Sequence, residues 1–431
     1  MNIIRFFRDR LKEHPLARVG PGLITGVADD DPSGIATYSQ AGARYGLDML
    51  WTMPLAYPLM AAIQSVCADI GRVTGKGLAA NIKSAFPPIV LKIVVTLLLL
   101  ANILNISADV AAMGEVAELI TGHDRHIMTA VFVFGTLLMQ VFVPYHRYVF
   151  FLKWLTVSLL AYAAVLFTVD VPWGEVAQRT VLPRLKLDAD AAAVIVGVFG
   201  TTISPYLFFW QASEEVEDMH TNADSAPLLR DKPSARGELR RIRWDTWTGM
   251  FYSNITAYFI ILATAVTLNV SGITDINTAA EAASALEPLA GKFAFYLFAI
   301  GILGVGLIGV PVLAGSGAYA LSEAMGWNSG LERKATDARG FYGIIALSVM
   351  AGLFIQYTPI SPMKALFWSA VINGVIAVPL MAVILLLATK KSIMGDFTPG
   401  RPIIWLGWIA TVVMGIAALC MLIPANPAPL H

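Results

Sequence analysis

The sequence predicts an all-α integral membrane protein of 11 transmembrane helices, the first and sixth of them broken near the middle of the bilayer. Three observations carry that prediction. The composition is too apolar for a soluble fold, apolar runs of spanning length alternate with short charged loops, and two of those runs are interrupted by Gly, Pro and Ser. Of 431 residues, 57% are hydrophobic and only 14% charged, against about 25% charged in soluble domains. Mean hydropathy is +0.66. Lys and Arg total 30 and are balanced by 30 Asp and Glu, which excludes a basic nucleic-acid binder and an acidic disordered chain. Two cysteines, Cys67 and Cys420, lie in apolar runs and leave no material for a disulfide framework or a thiolate metal centre. The first 18 residues are amphipathic and basic (Arg5, Arg8, Arg10, Lys12, Arg18), unlike the apolar core of a cleavable signal peptide.

A helix needs about 20 mostly apolar residues to cross a ~30 Å hydrocarbon core. Such runs occupy 20–45, 49–71, 91–117, 127–144, 150–169, 191–215, 246–269, 293–322, 340–357, 364–389 and 402–424. Bundled helices satisfy their own backbone in lipid, so the fold class follows from the runs. With the N-terminus in the cytoplasm, 23 Lys/Arg fall in the N-terminal tail and the loops after spans 2, 4, 6, 8 and 10. Seven fall on the other side: Arg44, Arg125, Arg179, Arg184, Lys186, Lys292 and Lys364. That bias obeys the positive-inside rule. It predicts a cytoplasmic N-terminus and an external C-terminus in a prokaryotic plasma membrane. The longest inner loop, 216–245, is rich in Arg and reads as a solvated connector drawn to anionic headgroups.

Span 1 carries Asp29-Asp30-Asp31-Pro32-Ser33-Gly34 in its middle, and span 6 carries Gly200-Thr201-Thr202-Ile203-Ser204-Pro205-Tyr206. Proline removes a backbone donor and clashes with the preceding turn, while Gly and Ser ease unwinding. At 1.5 Å per residue, Asp31 lies ~17 Å into its span, near mid-bilayer. Ser204 lies at a similar depth. Pro54, Pro58, Pro311 and Pro379 read as ordinary kinks. Because the interrupted spans are the first and sixth, the chain divides into two halves of five spans with opposite topologies, an inverted repeat. The expected organisation is a single transmembrane transporter domain over 1–431: repeat one at about 20–169, repeat two at about 191–389, and an extra helix at about 402–424.

No lysine or arginine lies deep in a span, whereas Asp29, Asp30, Asp31 and Asp109 do. A mid-bilayer carboxylate costs several kcal/mol unless paired, protonated or bound to a cation, so a bound cation is the economical reading. The first half-helices end near Ala28 and Thr201 and would aim free carbonyls at the gap. Asp31 is the expected ligand, while Asp30 or Asp29 would line the ion's pathway. Side chains near the breaks offer oxygen only: Asp31, Ser33, Thr201, Thr202, Ser204 and Tyr206. Imidazole and sulfur select softer ions, whereas Mg²⁺ and Ca²⁺ take oxygen, and Mg²⁺ commonly keeps several waters. Small residues such as Gly34 and Ser204 leave room for those waters. Mn²⁺ tolerates the same shell. The six histidines (His14, His123, His126, His146, His220, His431) sit in tails, loops or span ends, so no histidine relay crosses the membrane. Asp109 and Glu115 of span 3, and Glu214, Glu215 and Glu217 of span 6, are candidate vestibule charges, the span 6 group reading mainly as a solvated helix end. Asn373 of span 10 faces either the site or a neighbouring helix.

The stretches GPGLITGVADDDPSG, QSVCADIGRVTGKGLA, NISADVA and GTTISPY resemble the NRAMP family of divalent-metal transporters, in order across spans 1 to 10. The resemblance implies a LeuT-like fold and alternating-access transport of Mn²⁺ or Fe²⁺, usually with protons. The family holds its metal with the Asp and Asn of Asp-Pro-Gly-Asn, the Met of Met-Pro-His, and carbonyls three residues before that Asp and Met. Carried over, the Asp is Asp31 and the carbonyls belong to Ala28 and Thr201. Gly34 stands where the Asn would be, Ser204 for the Met and Tyr206 for the His. Losing the sulfur removes discrimination against alkaline-earth ions, and losing the His weakens proton coupling. These departures resemble the NRAMP-related magnesium transporters, a divergent prokaryotic branch. The implied function is Mg²⁺ import, with Mn²⁺ also accepted, no proton coupling and no resident cofactor. The partners are the ion and the lipid bilayer, with no nucleic acid. The sequence fixes no oligomeric state, and a monomer would suffice. The alternatives are a proton-coupled Mn²⁺/Fe²⁺ transporter and a sodium-coupled solute carrier. A membrane enzyme using Asp-bound Mg²⁺ would need paired acidic motifs at a membrane face with basic residues nearby, which are missing here.

Overall fold

The computed structural model describes residues 20–143, 158–184, 189–221, 225–331, 333–353 and 357–421. Among the described residues every regular element is helical. The basic N-terminal tail and the first part of span 5, 150–157, lie outside them. Among the described residues, eight helical segments are long and apolar enough to cross a bilayer: Thr52–Thr74, Pro88–Thr121, Arg125–Phe142, Ala189–His220 (across its break), Ala235–Asn269, Ala279–Met325, Pro362–Ala388 and Arg401–Cys420. They correspond to eight of the 11 expected spans. Of the other three, span 1 is divided into Pro21–Asp29 and Pro32–Tyr45. Span 9 is a 14-residue helix, Arg339–Gly352, and the described part of span 5 holds Leu160–Val165.

Both breaks are narrower than the motifs that announce them. In span 1 only Asp30 and Asp31 leave the helix. Pro32 opens the second half-helix, where its missing N–H costs nothing and its fixed φ suits the first turn. Asp31 caps that helix, its carboxylate accepting from the Gly34 amide. In span 6 the first helix, Ala189–Thr202, stops before Ile203 and Ser204, and Pro205 opens the second, Pro205–Thr221.

The connector 216–245 departs from expectation. Span 6 stays helical to Thr221, and the span 7 helix begins at Ala235, ahead of the expected 246. The carboxylate of Glu215 is fully buried and 2.9 Å from the Arg241 guanidinium, which also reaches Glu238 at 3.2 Å. Glu217 accepts from the Tyr319 hydroxyl at 2.5 Å and the Leu331 amide at 2.8 Å. Solvated helix ends are therefore the wrong description for this group. Apolar patterning stops where the charges begin, but pairing across spans 6, 7 and 8 lets the helices continue past that point.

Loop contacts sort into the two sets that the charge arithmetic defines. On the Lys/Arg-rich side, Lys232 pairs with Asp396 at 2.8 Å, Lys83 donates to the Ala324 carbonyl and Lys390 to that of Ala85. The hydrogen bond from Lys232 holds the exposed Asp396 carboxyl below its ordinary range. On the other side, Arg44 pairs with Asp190, Arg179 with Asp48, and Gln40 bonds to Thr274. An error of one in the crossings between these loops would have mixed the sets.

Backbone-to-backbone packing surrounds both breaks. A Cβ on Gly26 would lie 2.2 Å from the Gly249 carbonyl oxygen, which locks the first half-helix of span 1 onto span 7. A Cβ on Gly200 would lie 2.1 Å from the Ala370 carbonyl oxygen and 2.4 Å from the Gly374 nitrogen of span 10. Small residues of this kind let membrane helices approach closely. Gly200→Ala is expected to cost about 1–3 kcal/mol of packing or more, because backbone has to yield. Its apparent melting temperature in detergent should fall by several degrees, and an unchanged value would show that the contact relaxes freely.

Candidate cation site

Asp31 sits where the two half-helices of span 1 meet, and it is 1% exposed. Its first oxygen accepts from the Ser33 hydroxyl at 2.6 Å and the Gly34 amide at 2.8 Å. Both donors come from the turn it caps, an arrangement worth about 0.5–2 kcal/mol to a helix. The second oxygen accepts from the Asn105 side-chain amide of span 3 at 2.8 Å, and the Tyr206 hydroxyl of span 6 stands 3.3 Å away. Tyr206 has one proton to give and also faces the Ala28 carbonyl at 3.1 Å. The Asn105 carbonyl stands 2.7 Å from the Ser369 hydroxyl of span 10, which shares its one proton with the Leu366 carbonyl, also at 2.7 Å. One carboxylate thus joins spans 1, 3, 6 and 10.

The two carbonyls expected at the gap are both present and both touched by hydroxyls. Ala28 faces Tyr206, and Thr201 accepts from Ser204 at 2.7 Å, a bond that Ser204 shares with Gly200 at 2.8 Å. A carbonyl has two lone pairs, so either can still reach an ion. Gly34 adjoins this group. A Cβ there would lie 3.2 Å from both the Thr201 hydroxyl and the Tyr38 ring, so span 1 and span 6 close on each other across it. Span 8 closes a further wall, since a Cβ on Gly309 would lie 3.1 Å from that of Asp31. Gly309→Ala should therefore displace Asp31 by a few tenths of an ångström. Uptake per folded molecule is expected to fall severalfold with little change in melting temperature, and full activity would show that the site tolerates the shift.

Four of the expected residues lie apart from this carboxylate. Asp29 and Asp30 turn toward span 7, where the single Ser253 hydroxyl serves both carboxylates, at 3.0 Å from Asp30. Both are fully buried, so they do not line an aqueous path in this conformation. They are drawn away because successive residues at a helix end point in different directions. Asn373 is buried beside the Gly374–Gly200 contact and is not among Asp31's donors; its amide nitrogen lacks a partner. Asp109 is buried within electrostatic reach of Asp31, and its carboxylate faces the Ser33 backbone amide. Glu115 is separate again and accepts from the Ala279 amide at 3.1 Å. Among the described residues, no three His, Cys, Asp or Glu side chains converge on one point. An ion at this point would meet the Asp31 carboxylate and the neutral oxygens around it, with the Asp109 carboxylate close by.

Asn105, Ser253 and Ser369 went unrecognised in the sequence. Helical spacing held a signal for the first: Asn102, Asn105 and Asp109 recur at intervals of three and four, a polar stripe on an apolar span. Asn102 uses that stripe to bond the Leu313 carbonyl and Ser316 hydroxyl of span 8, both at 2.8 Å. The two serines carry no comparable pattern.

Residues 22–424 match the family described as Natural resistance-associated macrophage protein-like, Nramp. Among curated relatives, the divalent metal cation transporter MntH of Acidiphilium cryptum (strain JF-5) is 27% identical over 408 residues, 89% of this chain and 84% of that protein. Among solved structures, the Eremococcus coleocola manganese transporter superposes with a TM-score of 0.72 at 17% identity, covering 95% of this chain and 86% of that one. Mhp1, a nucleobase-cation-symport-1 family transporter, gives a TM-score of 0.59 at 14% identity over 93% and 92%. The architecture is that of the LeuT-like transporters, with broken helices in spans 1 and 6.

Proposed function

Because the chain belongs to the Nramp family, a family of transporters and not of enzymes, we propose that it imports Mg²⁺ by alternating access, accepts Mn²⁺, and moves no protons with them. Transport of a divalent cation follows the relatives. The choice of ion rests on one observation: the groups that meet at Asp31 are hydroxyls, carbonyls and a carboxamide, and Ser204 occupies the span 6 break. The sulfur of Met113 packs on Gly306, one helical turn along span 8 from Gly309. Hard oxygen donors around a single carboxylate suit an ion that sheds water reluctantly and keeps part of its shell. Selection of transition metals over alkaline-earth ions needs a softer group.

In this reading the Lys/Arg-rich loops face the cytoplasm, in a prokaryotic plasma membrane. Mg²⁺ enters from outside and meets Asp31, Ala28, Thr201 and Ser204 beside Gly34. It is then released inward as spans 1 and 6 rock against the rest. An inside-negative potential favours entry of a divalent ion by about 4.6 kcal/mol per 100 mV, so the gradient needs no second ion. A proton-coupled Mn²⁺ carrier is the second reading. It is favoured by the manganese transporter among the structural relatives and by Asp109, a second buried carboxylate within electrostatic reach of Asp31. A bacterium stripped of its own Mg²⁺ uptake systems separates the two. Expressed there, the chain should restore growth at low Mg²⁺ and raise cell magnesium. Accumulation of manganese alone, without growth, would favour the second reading.

A further inference from the structure

Asp31 receives more donors than its role as a helix cap requires. An ionised carboxylate offers about four acceptor positions. Ser33 and Gly34 meet two on one oxygen, and Asn105 and Tyr206 meet two on the other. The first pair belongs to Asp31's own turn and travels with it. The second pair comes from spans 3 and 6. Of these, Tyr206 shares its proton with Ala28, whereas Asn105 donates to Asp31 alone and is held by Ser369. A cation approaching the second oxygen has to displace that amide. A carboxylate solvated by protein donors on both oxygens costs less to hold without a cation in a closed, water-excluded core than a bare one.

Resting on the reading of Asp31 as the ion's carboxylate in an uncoupled carrier, we infer that Asn105 is a positioning residue that stands in for the ion. Its amide solvates the Asp31 carboxylate in the closed, unloaded carrier and so eases the return step on which net uptake depends. Such a carrier has to cross back without its ion in every net cycle, whereas isotope exchange at equal concentrations uses the loaded form alone. Losing the amide slows the unloaded crossing and removes a competitor of the ion.

Proteoliposomes holding the wild-type chain, Asn105→Leu, Ser369→Ala or Asn102→Leu would be given an enriched stable isotope of magnesium. Net uptake into magnesium-free vesicles is compared with exchange at equal magnesium on both sides. For Asn105→Leu the ratio of net uptake to exchange should fall about tenfold, the scale of one hydrogen bond to a charged group, and half-saturation should move to lower Mg²⁺. Ser369→Ala should shift the ratio the same way by less, and it carries the test if Asn105→Leu does not fold. Asn102→Leu, which breaks a span 3 to span 8 bond without touching Asp31, should leave the ratio at the wild-type value. An unchanged ratio in both Asn105→Leu and Ser369→Ala, or an equal fall in Asn102→Leu, would overturn the inference. A wild-type protein that moves no magnesium in either assay would instead contradict the magnesium reading. The same ratios would then be taken with Mn²⁺.

Discussion

Replacing Asp31 by alanine is expected to abolish cation uptake. Asp31 is the carboxylate on which donors from spans 1, 3 and 6 converge, with Ser369 of span 10 behind Asn105, and without it an ion loses the charge it rests on. Removing one member of a buried charged contact costs several kcal/mol, and each 1.4 kcal/mol is about tenfold in affinity. Uptake should therefore fall by about a hundredfold or more. Alanine also removes the cap on Pro32–Tyr45 and strands the Asn105 amide, each worth about 1 kcal/mol or more. Asp31→Asn is the companion variant, because it keeps an oxygen for Ser33 and Gly34 while deleting the charge. Both variants should be inactive, and the asparagine form should melt closer to wild type. Normal flux in a folded Asp31→Asn protein would remove Asp31 from the site.

The second large effect is expected from Ser204→Met. The serine hydroxyl is tied to the Gly200 and Thr201 carbonyls. Exchanging it for a thioether frees Thr201 and sets a polarizable sulfur at the span 6 break. Sulfur favours Mn²⁺ over Mg²⁺, so competition between the two ions should shift toward Mn²⁺ by about tenfold or more, the ~1.4 kcal/mol of one modest ligand preference. Because Ser204 is 1% exposed, the larger side chain costs some stability as well, and selectivity is the informative readout. Unchanged selectivity would mean that Ser204 does not face the ion.

How much of this was legible in the sequence depends on how local the cause is. Hydrophobic length, proline and the sign of loop charge act within a few residues, and they announced both breaks, Asp31 at the first of them, and the two families of loops. Asp31 as cap follows from Pro32 and Gly34 alone. The Asn105–Ser369 support depends on spans 3 and 10 meeting across 264 positions of sequence, which no local pattern encodes. Asp29 and Asp30 looked like Asp31 in sequence, yet their surroundings differ because Ser253 of span 7 faces them. The sequence misplaces the ends of spans 6 and 7 that meet the 216–245 connector for a related reason. Charge ended the apolar pattern, while the Glu215–Arg241 pair sustained the helices.

The most direct test of a magnesium carrier built on Asp31 records two signals at once. Purified wild-type and Asp31→Asn proteins are placed in vesicles carrying an internal Mg²⁺ indicator and a pH dye, under an inside-negative potassium diffusion potential. Mg²⁺ entry in the wild type alone, with no movement of protons, is the result this account predicts. Mn²⁺ entry accompanied by protons, with no Mg²⁺ signal, would contradict it.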